Sequence, residues 1–206
     1  MTQYAFYFDS TRCTGCRTCE MACKDYKDSS EGIHFRKVYD YEGGICELDE
    51  QGICTTSAFV YHMSLGCQHC NDPACVQVCP TGATFKREDG IVVMDPHRCI
   101  GCRFCMAGCP FGARSFNFVD PRKYLSDPVP NPAYPTRMIG VVEKCTFCAE
   151  RLAVGQMPAC VEAAGGRILF GDLNDPKSDV CKALASNYSI RRKPNLGTQP
   201  GVYYLI

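Results

Sequence analysis

Cys99, Cys102 and Cys105 stand at two-residue gaps, Cys109 follows three residues later, and Pro110 comes next. Thiolate is a soft ligand that suits iron–sulfur clusters. Three sulfurs so closely spaced let one loop wrap a corner of a cubane cluster. The fourth, entering a helix, points away and serves a neighbouring cluster, so this pattern ligates 4Fe-4S clusters in pairs.

The run recurs. Cys13, Cys16, Cys19 and Cys23 form a first run, followed by Lys24 and not by proline. Cys67, Cys70, Cys75 and Cys79 form a second, ending in Pro80, with a two-residue insertion at Asp72-Pro73 or its neighbours. Cys145 and Cys148, then Cys160 after eleven residues, form a fourth. The second and third runs are adjacent and both end Cys-Pro, so they pair; the first and fourth pair by elimination. Exchange of fourth cysteines then predicts the ligand sets. Cys67, Cys70 and Cys75 share a cluster with Cys109. Cys99, Cys102 and Cys105 share one with Cys79. Cys145, Cys148 and Cys160 share one with Cys23. Cys13, Cys16 and Cys19 are left a thiol short, because the position four residues after Cys160 is Ala164, followed by Gly165 and Gly166. Three readings stay open there: a 3Fe-4S cluster, a 4Fe-4S cluster completed by Cys181, Asp172 or water, or no cluster. The fourth run alone also has zinc-ribbon spacing.

Eighteen cysteines in 206 residues fall in tight runs with long cysteine-free stretches between them, unlike a disulfide scaffold. A lone cysteine reads first as a small buried apolar residue, but Cys46 and Cys54 flank a turn signal, so a hairpin disulfide in an oxidising compartment is the alternative. His69, between Cys67 and Cys70, and the basic residues Arg17, Lys24, Arg103 and Lys144 are placed to tune cluster potentials. His34, His62 and His97 read as roleless. A formal net charge of zero gives no basis for binding nucleic acid or an anionic membrane surface. No apolar run reaches the length of a membrane span, and Met1 to Cys13 lacks the pattern of a signal peptide. No dinucleotide loop, P-loop or nucleophile constellation appears, so no catalytic residue is expected.

These cysteines need short elements around them. Strands are expected over Tyr4–Phe8, His34–Tyr41, Ala58–Met63 and Gly140–Glu143, and hairpins over Ile45–Cys54 and Thr84–Asp95. A helix is expected from the first run to about Tyr26, another over Ala149–Gln156, and a Ser178-capped one over Asp179–Ser186. The proline-rich stretch Asp120–Pro135 reads as a loop, and Asn187–Ile206 as an extended tail available to a partner subunit. The fold class is α+β: two nested ferredoxin-like units with two clusters each, short strands and helices, and long loops. Residues 1–66 and 140–206 make the outer unit, and residues 67–139 the inner one. Cluster binding is folding energy in such small metallo-domains, so the cluster-free chain is expected to fold poorly.

The four-run order, with Cys13-Thr-Gly-Cys16, Cys67-Gln-His-Cys70 and Pro73-Ala-Cys75, Cys99-Ile-Gly-Cys102 and Cys145-Thr-Phe-Cys148, resembles the iron–sulfur B subunit of dimethyl sulfoxide reductase and polysulfide reductase. Phe170-Gly-Asp-Leu-Asn-Asp-Pro176 is similar to the polysulfide reductase type. The resemblance implies a non-catalytic subunit that passes electrons between a quinone-linked membrane anchor and a molybdopterin catalytic subunit. It implies three 4Fe-4S clusters and a fourth cluster of 3Fe-4S or unusual 4Fe-4S type. It also implies a membrane-associated complex, co-exported with the catalytic partner to the extracytoplasmic face, the cytoplasmic face being the alternative. Ala164 stands where the family has a cysteine ligand. A stand-alone soluble polyferredoxin is the competing reading, and an enzyme using the open cluster corner is a third.

Overall fold

The computed structural model describes residues 2–124 and 138–206. In chain order it has β1 (Tyr4–Asp9), α1 (Thr18–Lys27), β2 (Arg36–Gly43), β3 (Cys46–Leu48), β4 (Cys54–Thr56) and β5 (Phe59–Gly66). Then come α2 (Ala74–Gln77), β6 (Thr84–Lys86), β7 (Val92–Met94), α3 (Phe104–Ala107), β8 (Ser115–Phe116), a 3-10 turn (Pro121–Tyr124) and β9 (Val142–Glu143). Last are α4 (Ala149–Leu152), α5 (Ala159–Ala163), β10 (Ile168–Asp172), α6 (Asp179–Ser186), a second 3-10 turn (Pro194–Leu196) and β11 (Val202–Leu205). The architecture is α+β with short elements throughout.

β1 is the middle of a three-stranded sheet, antiparallel to β10 and parallel to β11. Its alternation sorts two faces. Phe6 and Phe8 point to the larger core with Ile168, Phe170, Val202 and Tyr204. Ala5 and Tyr7 point the other way, under Val180 of α6. Ser178 caps α6 as its sequence predicts, its hydroxyl accepting from the Cys181 N–H at 3.2 Å. Phe147 stands edge-on to Phe6 at 4.5 Å and to Phe170 at 5.4 Å, so the fourth run is anchored on the sheet by an aromatic cluster. In a chain without Trp, these rings supply the large apolar volume.

The C-terminal tail differs from its expectation. Val202–Leu205 is a sheet strand, with Val202 and Tyr204 buried. Its alternating apolar residues find a partner within the same molecule, on the second edge of β1. The segment leading to it crosses the second run: Thr198 and Gln199 carbonyls accept from Asp72 and Asn71 N–H at 3.2 and 2.8 Å, and the Gly201 N–H donates to Gln68 O at 2.7 Å. The tail therefore covers the Cys67 run.

β2 and β5 pair over their whole length, from Arg36 opposite Gly66 to Gly43 opposite Phe59. The expected hairpin forms as β3 and β4, and Cys46 is joined to Cys54 in a disulfide. The two are diagonal neighbours, because Cys46 lies opposite Thr56 and Cys54 opposite Leu48. β6 pairs with β7 and β8 with β9, the latter bringing together segments on either side of residues 125–137. The expected loop from Asp120 begins with the 3-10 turn, and its residues 125–137 lie outside the described residues. No helix among the described residues is long and apolar enough to cross a membrane.

Candidate metal centres

The four cysteine loops share one backbone device. The residue before the second cysteine of every run has a positive φ: Gly15 (68°), His69 (40°), Gly101 (71°) and Phe147 (54°). A left-handed residue there turns the chain sharply between two ligands. Glycine does this without steric cost; at Gly101 an added Cβ would also stand 2.4 Å from the Gly140 carbonyl. His69 and Phe147 adopt it under strain, and they are the two that stack, ring centroids 3.6 Å apart and 15° from parallel. Both rings are fully buried. The His69 Nδ1 accepts from the Val92 N–H at 3.2 Å, which fixes the ring in place.

Burial and neighbouring thiols act together on the cysteines of all four runs. Burial pushes the Cys70 thiol up to about 12, with Cys67, Cys75 and Cys109 pushing the same way. Those four cysteines line one small cavity, together with His69, Arg114 and Thr198. Burial raises Cys105, whose thiol neighbours are Cys75, Cys99 and Cys79. Burial raises Cys23 strongly, and its thiol neighbours are Cys160, Cys145 and Cys148. Burial pushes Cys145 up to about 12, with Cys67 foremost among its thiol neighbours, then Cys148 and Cys160. Cys19 is raised by burial and has Cys160 and Cys13 beside it. Hydrogen bonds reach several sulfurs: Thr18 Oγ1 to Cys16 at 3.3 Å, Thr84 N–H to Cys79 at 3.4 Å, and Phe147 N–H to Cys145 at 3.4 Å.

The first run is joined to the turn that holds Ala164. Arg167 donates from Nε to Arg12 O at 2.7 Å and from Nη1 to Ala164 O at 3.2 Å. Ala164 is buried in the core that contains Cys19, Cys23 and Cys160. Cys181 is not brought there. Its thiol donates to Leu173 O at 3.3 Å and lies 3.6 Å from Asp172 O. Asp172 pairs with Tyr4 while Ile168 pairs with Phe8, so both substitute donors sit about 13 Å along the sheet from the end at which the first run leaves.

The donor chemistry fits clusters. All fifteen run cysteines are free thiols. Among the described residues no three His, Cys, Asp or Glu side chains close tightly enough for a single metal ion. Cys67, Cys70, Cys75 and Cys109 converge on one cavity, which suits a shared cluster.

Of the basic residues named from sequence, Arg17 pairs with Asp40 at 2.7 Å and Lys24 Nζ bonds the carbonyls of Ser29 and Ser30. Arg103 lies over the Phe116 ring. Lys144 alone is buried beside a run, bonded to the carbonyls of Val92 and Cys145. Sequence reasoning missed the buried arginines Arg36 and Arg114. The signal for Arg36 was its alternation with Val38 on the core face of β2. His62 has contacts too: its Nδ1 lies 2.8 Å from Asp40 Oδ1, and its ring packs over Gly15.

Residues 58–121, which contain the second and third runs, match the 4Fe-4S dicluster domain family. The chain is 41% identical over 203 residues to the B subunit of anaerobic dimethyl sulfoxide reductase of Escherichia coli, covering 97% of this chain and 89% of that protein. It is 37% identical over 218 residues to the B subunit of the selenate reductase of Mesobacillus selenatarsenatis, covering 98% and 72%. It is 51% identical over 154 residues to the Hdr-like menaquinol oxidoreductase iron–sulfur subunit 1 of Archaeoglobus fulgidus, covering 70% of this chain and 56% of that one. Thiol loops of this geometry, matched over nearly the whole length, place the chain in the family of iron–sulfur B subunits of dimethyl sulfoxide reductases.

Proposed function

We propose that this protein is a non-catalytic relay of four iron–sulfur clusters, passing single electrons between a quinone-linked membrane anchor and a molybdopterin catalytic subunit. The observation that carries this reading is the order of adjacency among thiols. Cys19 stands by Cys160, Cys145 by Cys67, and Cys105 by Cys75. That order strings the four sets into one path: the Cys13 set, the Cys145 set, the Cys67 set and the Cys99 set.

Each cluster, when bound, supplies reversible one-electron storage. The protein's own residues hold the clusters close together. The His69–Phe147 stack fixes the join between the second and fourth runs, and the tail segment around Thr198 closes the Cys67 set. Relatives' names mark the two ends of such a path, one a menaquinol oxidoreductase and another a dimethyl sulfoxide reductase.

The ligand sets are those expected from the exchange rule, with three thiols for the Cys13 set and hence a 3Fe-4S cluster there. Support comes from the burial of Ala164 in the same core as Cys19 and from the remoteness of Cys181. The nested units follow the same pairing, β1 with β10 and α1 on α5 outside, α2 on α3 inside. Because β9 pairs with β8, the inner unit extends through Glu143. The exposed Cys46–Cys54 disulfide favours the extracytoplasmic face.

Purification from native membranes tests the relay. The protein is expected to co-purify with a molybdenum-containing subunit, and quinol is expected to reduce its clusters within that complex. A protein that purifies alone and fully loaded, and that quinol does not reduce, is a free polyferredoxin instead. EPR of the oxidised protein tests the cluster type, since only a 3Fe-4S centre is paramagnetic in that state.

A further inference from the structure

Arg36 and Arg114 lie outside the cysteine runs, yet they are 5% and 6% exposed. Among the described residues neither forms an ion pair with a carboxylate. Arg36 donates from Nη1 to Ser64 Oγ at 3.0 Å, and that hydroxyl lies 3.4 Å from Cys19 Sγ. Its guanidinium sits 4.8 Å over the Phe6 ring. Arg114 lines the cavity of Cys67, Cys70, Cys75 and Cys109. It donates from Nη1 to Thr84 Oγ1 at 3.2 Å, and the Thr84 N–H reaches Cys79 Sγ. Its Nε and Nη2 have no hydrogen-bond partner among the described residues.

A buried cation left without an anion is strongly unfavourable, so both positions call for negative charge nearby. The nearest candidates are thiolates, and they follow a rule. Arg36 has Cys160 and Cys19 foremost among its neighbours. Arg114 has Cys75 and Cys105. These are the third cysteines of the two runs in each pair. Each guanidinium thus stands between two ligand sets, one arginine to the outer pair and one to the inner.

We infer that Arg36 and Arg114 are shared internal counter-charges, each raising together the reduction potentials of the two clusters it separates. This rests on the four-cluster reading above. Reduction adds one electron and one negative charge to a cluster. A fixed positive charge stabilises the reduced form, and a guanidinium exchanges no proton. A carrier charge shared between two clusters keeps their potentials in step.

EPR-monitored redox titration of the purified complex decides it. Arg114→Gln is expected to make reduction of both inner clusters at least tenfold less favourable, about 59 mV lower for one electron, with the outer pair unmoved. Arg36→Gln should do the reverse. Arg114→Lys and Arg36→Lys, which keep the charge, should recover most of the shift. Potentials unmoved at wild-type iron content overturn the inference, as does a shift confined to one cluster of a pair or spread equally over all four. Should a Gln variant lose iron, pulsed EPR on the wild-type complex with 15N-labelled arginine settles the point. Reduced clusters of both pairs must couple to guanidinium nitrogen, and absence of coupling overturns it. A wild-type complex with fewer than four clusters instead removes the four-cluster reading, and this inference falls with it.

Discussion

The proposed 3Fe-4S assignment turns on Ala164. It is buried in the core that holds Cys19, Cys23 and Cys160, and on the proposed ligand sets a thiol there completes the Cys13 set. Ala164→Cys is therefore expected to convert a 3Fe-4S cluster to 4Fe-4S, with loss of the EPR signal of the oxidised protein and a gain of about one iron per molecule. An unchanged oxidised spectrum would refute the assignment. The left-handed positions are equally local. Gly101→Ala combines a φ of 71° with a Cβ 2.4 Å from a carbonyl oxygen. Strain of this kind costs about 1–3 kcal/mol before the clash is added. The Cys99 set should lose its iron first, read as cluster-specific loss of EPR intensity.

At the scale of elements, β11 and the β3–β4 hairpin make opposite contributions. Tyr204 is fully buried, and its hydroxyl accepts from Gln68 Nε2 at 3.0 Å. Tyr204→Ala should cost about 3–5 kcal/mol of stability, whereas Tyr204→Phe, which keeps the ring, should cost about 1 kcal/mol. Chemical denaturation of the loaded protein measures both; equal effects would mean that β11 is not part of the cooperative core. The hairpin is exposed on every strand residue. Its disulfide closes a short loop, an effect worth about 2–3 kcal/mol in the chain-entropy account. Cys46→Ser should open the hairpin to proteolysis and leave every cluster signal in place.

For the whole molecule, metal and fold are one equilibrium. Cysteines Cys19, Cys23, Cys148 and Cys160 are core residues, and charged or protonated thiols cannot fill the space of the clusters. Removing iron should abolish the cooperative thermal transition, which calorimetry would show. Loading must also strip protons from the thiols. Cys70 and Cys145, lifted from an ordinary value of 9.0 to about 12 by burial, hold theirs through the neutral range. Since thiolate is the bound form, loading releases protons and gains as pH rises towards the ordinary thiol value. Iron uptake by the cluster-free protein should therefore be greater at about pH 9 than at about pH 7, and a flat profile would contradict this.

Cysteine spacing by itself determined the cluster chemistry, the run boundaries and the gap at Ala164, because a rigid cubane dictates how far apart its ligands stand along a loop. The Ser178 cap and the Cys46–Cys54 hairpin were legible for the same reason: each is specified by a few adjacent residues. The tertiary structure decided what depends on distant segments. Val202–Leu205 reads like a sticky tail until β1 offers it an edge. Cys181 looks like a spare ligand until the register of β1 and β10 carries it to the wrong end of the sheet. Arg36 and Arg114 look like surface charge until the fold buries each beside cysteines of different runs. Long-range burial sets their chemistry, and no local pattern of residues encodes it.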